Sequence, residues 1–203
     1  MSSGLKIMII RHGEKPEEKR QPPFGVNKNG EQNWDSLSVR GWQRAGALAA
    51  LFTLLPGDPA SPLATPQLIY ASKPRSGAAT PSADGGTSRG RSKRPRQTVS
   101  PLAARLGLMP NLDFGKGDEA DLVRQVLTHT VPVLIAWSHE PICDLARQFT
   151  GAQPPQQPIP AQWPDDRFDV VWVLDPPPGD GRGWRFTQVP QRLLKGDSDQ
   201  GIT

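Results

Sequence analysis

A chain of 203 residues with a formal net charge of +4 and 22% charged residues is long enough for one domain with a sizeable core. So modest a charge does not demand a nucleic-acid partner and suits a small anionic ligand equally well, and no apolar run reaches the roughly 18 residues of a membrane span. Twenty Gly and twenty-three Pro require generous irregular connections between the regular elements, and function often sits on such connections.

Leu5 to Ile10 reads as a buried strand that stops at Arg11-His12-Gly13. A strand of that composition belongs in an α/β sheet, and the residues just past its C-terminal end face the crevice where open α/β sheets hold ligands. A loop rich in Pro and Gly follows to about Asp35. From Ser36, Leu37, Gly41, Ala45, Leu48 and Phe52 recur at helical spacing, which predicts an amphipathic helix ending before Pro56. Gln67 to Ser72 reads as a second strand and Gln97 to Leu108 as a helix closed near Gly107.

Between them, residues 73–93 interrupt the order with Gly, Ser, Ala, Thr and Pro and read as a flexible surface insertion. Asn111 to Phe114 reads as a short third strand, Glu119 to Leu127 as a helix, and Val131 to Trp137 as a buried strand that runs straight into Ser138-His139-Glu140 and a further helix. After a Pro/Gln-rich loop, Phe168 to Leu174 and Trp184 to Val189 predict a C-terminal strand pair at a sheet edge. Alternation of strand and helix through residue 150 predicts a three-layer α/β sandwich with a mostly parallel central sheet and helices on both faces, in one domain spanning 1–203.

The N-terminus lacks the charged, apolar and small-residue order of a signal peptide, and the one cysteine, Cys143, excludes an internal disulfide, so the expected location is cytoplasmic. Cys143 lies in an apolar helical pattern, where it packs as a small hydrophobe. His129 ends a helix and is expected at its last carbonyls. Most of the six Trp are expected in the core or at its rim.

Three places fall at one edge of the predicted sheet: Arg11-His12, the region of Arg94, and His139. Two imidazoles and two guanidinium groups suit a dianionic phosphoryl group, because each guanidinium offers a planar donor fork and helix N-termini add backbone N–H groups. An imidazole there can attack phosphorus while its neighbours neutralise the equatorial oxygens. Metal chemistry fits poorly, because the chain has no His-x-x-x-His or Cys-x-x-Cys spacing and the arginines would repel a cation. No metal or cofactor is therefore expected. A serine hydrolase lacks its Gly-x-Ser-x-Gly elbow.

These residues resemble the histidine phosphatase superfamily, which includes phosphoglycerate mutases and histidine acid phosphatases. The resemblance covers about residues 5 to 150. It rests on Ile9-Ile10-Arg11-His12-Gly13-Glu14, on Leu37 to Ala45 with one position displaced, on Arg94-Pro95-Arg96-Gln97-Thr98, and on Ile135 to Glu140. Each motif alone is weak, and four in the right order are strong. The resemblance implies His12 as nucleophile, with Arg11, Arg94 and His139 around the phosphate.

Two departures from the family pattern are visible. The insertion separates Ser72 from the second arginine, which leaves Arg75 as the rival of Arg94, although only Arg94 is followed by Gln97-Thr98. The acid that protonates the leaving group is ambiguous: Glu140 ranks first, then Glu119, with Asp118 and Glu14 also open. Lys15 stands where one branch of the family has an additional phosphate-binding arginine.

The expected activity is a metal-independent phosphatase acting on a phosphorylated small molecule. The alternatives are a mutase-like phosphotransferase, or a binding module for a phosphorylated or nucleic-acid partner that uses the basic segment 73–96. The sequence does not define an oligomeric state.

Overall fold

The computed structural model describes residues 4–17, 21–54, 61–74, 92–177 and 183–203. Most of the insertion read at 73–93, including Arg75, lies outside the described residues.

The central strand is β1 (Lys6–Arg11), five of whose six residues are buried. After the long loop comes α1 (Val39–Leu51), whose N-cap Ser38 accepts a hydrogen bond from the Gly41 amide, so one orphan donor of the first turn is satisfied. Then follow β2 (Leu68–Ala71), α2 (Arg94–Leu106), α3 (Glu119–Val126), β3 (Pro132–Trp137), α4 (His139–Thr150), β4 (Val170–Asp175) and β5 (Arg185–Pro190). The helix expected from Gln97 begins three residues earlier, at Arg94, because Pro95 fits a first turn where its missing N–H is not needed. It closes on Gly107 in the left-handed region at φ 66°. No helix among the described residues is long and apolar enough to cross a membrane.

The strand order is β2-β3-β1-β4-β5. β1 and β2 both pair parallel with β3, whereas β4 pairs antiparallel with β1 and with β5. The sheet is therefore mixed, which corrects the expectation of a mostly parallel one. The physical reason lies after α4. That helix runs from the strands' C-terminal edge towards the opposite edge, and the segment 151–169 then climbs back, so β4 starts where β1 ends.

The short strand read at Asn111–Phe114 is reduced to isolated parallel bridges, Tyr70 with Asn111 and Lys73 with Gly115. Asn111 Oδ1 accepts the Asp113 amide, a local turn that stops a strand from propagating.

Alternate residues of β1 feed two hydrophobic clusters. Ile7 and Ile9 pack with Leu122 and Val126 of α3 and with Ile142, Leu145 and Phe149 of α4. Met8 and Ile10 pack with Leu48 of α1 and with Val99 and Leu102 of α2. Cys143 is buried in the first cluster, as are Trp137, Trp163, Trp172 and Trp184. His129 meets the last carbonyl of α3, that of Val126, through its backbone N–H, while its ring Nε2 lies 2.8 Å from the Tyr70 hydroxyl.

The loop after β1 is seated directly on α1. A Cβ on Gly41 would lie 2.4 Å from the Glu14 carbonyl oxygen and 3.0 Å from its nitrogen, both fixed backbone atoms. Gly41→Ala should therefore destabilise the fold by about 1–3 kcal/mol in spite of alanine's better helix propensity. Thermal denaturation reads this as a fall in Tm of several degrees, and a Tm at or above wild type would contradict the close approach.

Candidate active site

Parallel pairing of β1 with β3 places Arg11 opposite Trp137, so the residues that follow each strand emerge at the same edge. The His12 amide donates to the Trp137 carbonyl at 3.0 Å, which carries this register one residue past the strand. His139 is the first residue of α4, with Ser138 at the N-cap position. From the other side, Thr98 of α2 accepts the Gly13 amide at 2.8 Å and donates to the Arg94 carbonyl at 2.8 Å. Gln97 accepts the Leu37 amide through Oε1 and donates to the Ser36 hydroxyl through Nε2. The Gln97-Thr98 pair behind Arg94 thus stitches α2 to both ends of the long loop that follows the first histidine.

His12 is 4% exposed. Its Nδ1 lies 2.7 Å from the Gly13 carbonyl, which can only accept, so Nδ1 carries the proton and Nε2 keeps its lone pair. Burial, followed by the charges of Arg11, Arg94 and His139, pushes the His12 pKa well below 6.5. At neutral pH the side chain is an uncharged imidazole with a free nitrogen.

Arg11 is wholly buried. Its Nη1 donates to the carbonyls of Pro164, Asp165 and Arg167, and its guanidinium carbon sits 3.9 Å from the centre of the Phe168 ring. Burial lowers its pKa to about 10, so it stays charged at neutral pH. Its Nε and Nη2 are buried without a hydrogen-bond partner among the described residues. Unpaired buried donors on a guanidinium are costly, and they lie on one edge of the planar fork, the edge that matches two oxygens of a phosphate.

Arg94 donates to the Ser36 and Trp34 carbonyls, and burial lowers its pKa. Lys15 is half-buried with a pKa lowered first by burial and then by Arg11. His139 Nε2 lies 2.7 Å from Asp165 Oδ1. Burial, and after it the charge of Arg11, lowers the His139 pKa to about 4 against the opposing pull of Asp165, so Nε2–H donates to the carboxylate at neutral pH.

The structure brings Arg11, His12, Lys15, Arg94 and His139 to one place. None of the acids read from the sequence bonds these groups, although Glu14 lines the cavity beside them. Glu140 is over half exposed and pairs with Lys116. Glu119 accepts from Trp137 Nε1 and the Gly117 amide, Asp118 accepts the Gly115 amide, and Glu14 binds Arg40 and Arg44. Asp165, Arg167 and Phe168 were not singled out by sequence. They lie more than 150 positions from Arg11 and in no regular element, so no periodicity links them to the site.

A cavity of about 520 Å³ opens beside the site, lined in part by Lys15, Arg40, Asp165, Asp166 and Phe168. A second, of about 540 Å³, lies around Trp184 and Phe186 and shares no residue with it. Among the described residues no group of three or more His, Cys, Asp or Glu is placed to hold a metal ion.

No protein-family model matches this sequence, and no curated protein matches it. Solved structures do. The protein histidine phosphatase SixA, solved in complex with tungstate, superposes with a TM-score of 0.51 at 14% identity, covering 92% of this chain and 97% of that one. A candidate phosphohistidine phosphatase SixA from Agrobacterium tumefaciens gives a TM-score of 0.50 at 15% identity, covering 90% and 95%. The chain shares the fold of these two structures. At this identity the likeness speaks for the fold and leaves the chemistry to the side chains described above.

The depressed histidines have a thermodynamic consequence. The unfolded chain takes up protons on these imidazoles below about pH 6.5, whereas folded His139 does so only near pH 4 and folded His12 well below 6.5. The unfolded state therefore binds more protons in this window, and stability falls as pH falls. At about 1.4 kcal/mol per pH unit, the gap from 6.5 to about 4 at His139 amounts to up to about 3 kcal/mol. Denaturation at pH 7 and pH 4.5 should show a large loss in wild type and a smaller one in His139→Gln; equal losses would contradict the shift.

Proposed function

We propose that the protein is a metal-independent phosphatase that hydrolyses a phosphomonoester through a phosphohistidine at His12. The observation that carries this reading is the pair of buried, unpartnered Arg11 donors beside an uncharged imidazole with a free Nε2. The shared fold supports it, as does the four-motif order of the sequence. The two hydrophobic clusters on alternate residues of β1 support the layered arrangement, with helices over both faces, that leaves this sheet edge open as a ligand crevice.

In the proposed reaction, Arg11 Nε and Nη2 fork onto two phosphoryl oxygens, Arg94 adds a second positive charge, and uncharged His139 donates a hydrogen bond from Nε2–H. His12 Nε2 attacks phosphorus in line with the ester oxygen, and the P–O bond breaks. A water then attacks phosphorus on the opposite side, the P–N bond breaks, and inorganic phosphate leaves. Each guanidinium contact strengthens as charge builds on the equatorial oxygens. Lys15 lines the cavity beside the site and would contact the remainder of a small phosphorylated substrate, whose size the volume of about 520 Å³ accommodates.

Incubation with an aryl phosphate in excess chelator should release inorganic phosphate at the rate seen without chelator. Loss of release on chelation, restored by a divalent metal, would overturn metal independence. No release from any phosphomonoester in a panel of aryl phosphates, sugar phosphates, nucleotides and phosphoglycerates would overturn the phosphatase reading.

A further inference from the structure

The phosphate pocket has its cations, yet every carboxylate that the sequence places near its motifs is occupied elsewhere. Asp165 is the carboxylate that bonds one of the pocket's own groups, and it comes from the segment that climbs back to the sheet edge after α4, whereas Asp166 and Glu14 act on Arg11 only through space. Arg11 Nη1 holds that segment through three backbone carbonyls, Pro164, Asp165 and Arg167. This anchoring fixes the main chain at Asp165 while the side chain stays 78% exposed, bonded through Oδ1 to His139 Nε2. Asp165 is also the carboxylate with the largest electrostatic effect on Arg11 and on Lys15. A single negative group thus touches or faces three of the cationic and imidazole groups expected to surround a phosphoryl group.

We propose that Asp165 is the proton-transfer residue of this site, a role that rests on the phosphatase reading above. When a phosphomonoester monoanion binds, one of its oxygens accepts the hydrogen bond from His139 Nε2–H, its acidic proton passes to the released Asp165 carboxylate, and the resulting carboxyl lies beside the ester oxygen at the mouth of the cavity that holds the leaving group. In the first half-reaction the new bond is His12 Nε2–P. The P–O bond breaks, its electron pair stays on the departing oxygen, and the Asp165 carboxyl proton moves to that oxygen. In the second half-reaction water oxygen bonds to phosphorus and its proton moves to the Asp165 carboxylate. The P–N electron pair returns to His12, the Asp165 carboxyl passes its proton to the departing phosphate, and the enzyme is back in its starting state.

The placement accounts for the acid being invisible to motif reading. The family-like motifs end near Glu140, and Asp165 reaches the site only because the sheet is mixed and residues 151–169 return to the strands' C-terminal edge. Anchoring the loop by carbonyls instead of side chains also leaves the carboxylate free to turn between His139 and the substrate.

The test is the dependence on leaving group in Asp165→Asn, with Asp165→Glu as the conservative control. 2,4-Dinitrophenol leaves without a proton, so 2,4-dinitrophenyl phosphate should give a rapid burst close to the wild-type rate, followed by slow turnover as the phosphoenzyme waits for its base. Phenyl phosphate, whose leaving group needs the proton, should show no burst and a loss of about 10²–10⁴-fold in kcat. Asp165→Glu should recover part of that loss.

Equal losses of the bond-breaking rate on both esters would reduce Asp165 to a positioning residue and overturn the proposal, as would unchanged rates on both. The wild-type enzyme is the internal control. Turnover by it with an insensitive Asp165→Asn removes only this assignment, whereas a wild-type enzyme inert towards both esters overturns the phosphatase reading and this assignment with it.

Discussion

Replacing His12 by alanine is expected to reduce phosphate release from an aryl phosphate by at least about 10⁴-fold, a part of the roughly 10⁶-fold or greater accelerations that enzymes reach. The argument is structural. Nδ1 is committed to the Gly13 carbonyl, and burial with three neighbouring positive or ionisable groups keeps the ring uncharged. No other nucleophile in the set is comparable: His139 points its Nε2 at Asp165, and the arginines remain protonated.

Arg11→Lys should cost less, about 10²–10³-fold, because an ammonium keeps the charge and loses the planar fork. That variant separates charge from geometry. Folding of His12→Ala can be checked by phosphate itself, since Arg11 and Arg94 remain and inorganic phosphate should still raise Tm. A His12→Ala protein that keeps this response and turns over at the wild-type rate would sink the nucleophile assignment.

The largest stability effect is expected at Arg44. This guanidinium is 1% exposed and bonds Glu14 at 2.8 Å, Asp197 at 2.7 Å and Gln191 at 2.9 Å. Burial alone would lower its pKa; hydrogen bonds to Asp197 and Glu14 outweigh this and raise it. Asp197 in turn accepts the Leu193 and Leu194 amides, so Arg44 joins the loop after His12 to the C-terminal segment.

Truncation to alanine takes the buried cation from two carboxylates, one of them 2% exposed, and leaves them half-exposed Arg40 and backbone amides, which should cost about 3–5 kcal/mol. For a chain of 203 residues that corresponds to a fall in Tm of roughly 6–20 °C. Arg44→Met combined with Asp197→Asn should lose less than the sum of the single changes, because the second change removes the charge that the first leaves unpaired. A single Arg44→Ala change costing under about 1 kcal/mol would show that water relieves the pair and that the network adds little.

Local signals made β1, α1, β2, β3 and α4 readable, because each has a strong period and a clear stop. They also placed Arg11, His12, Arg94 and His139 at one edge, since parallel strands with crossover helices bring their C-terminal ends together. The rest depends on long-range contacts or local competition. The direction of β4 depends on where a proline-rich loop travels, and no residue periodicity encodes that path. The Asn111–Phe114 strand failed because an Asn side chain bent the backbone, a competition that composition alone does not resolve.

Arg44 looked like an ordinary cation on a helix, yet its partners Glu14 and Asp197 stand 30 and 153 positions away. The same distance in sequence hid Asp165, and it left four acids formally equal until their actual partners were known.

The most direct measurement is to quench turnover of a labelled phosphomonoester within its first cycles and map the covalent phosphate by peptide analysis. The account predicts an acid-labile, base-stable phosphoryl group on the peptide that carries His12, absent from His12→Ala. Turnover without any covalent phosphate, or with the label on another residue, would contradict it.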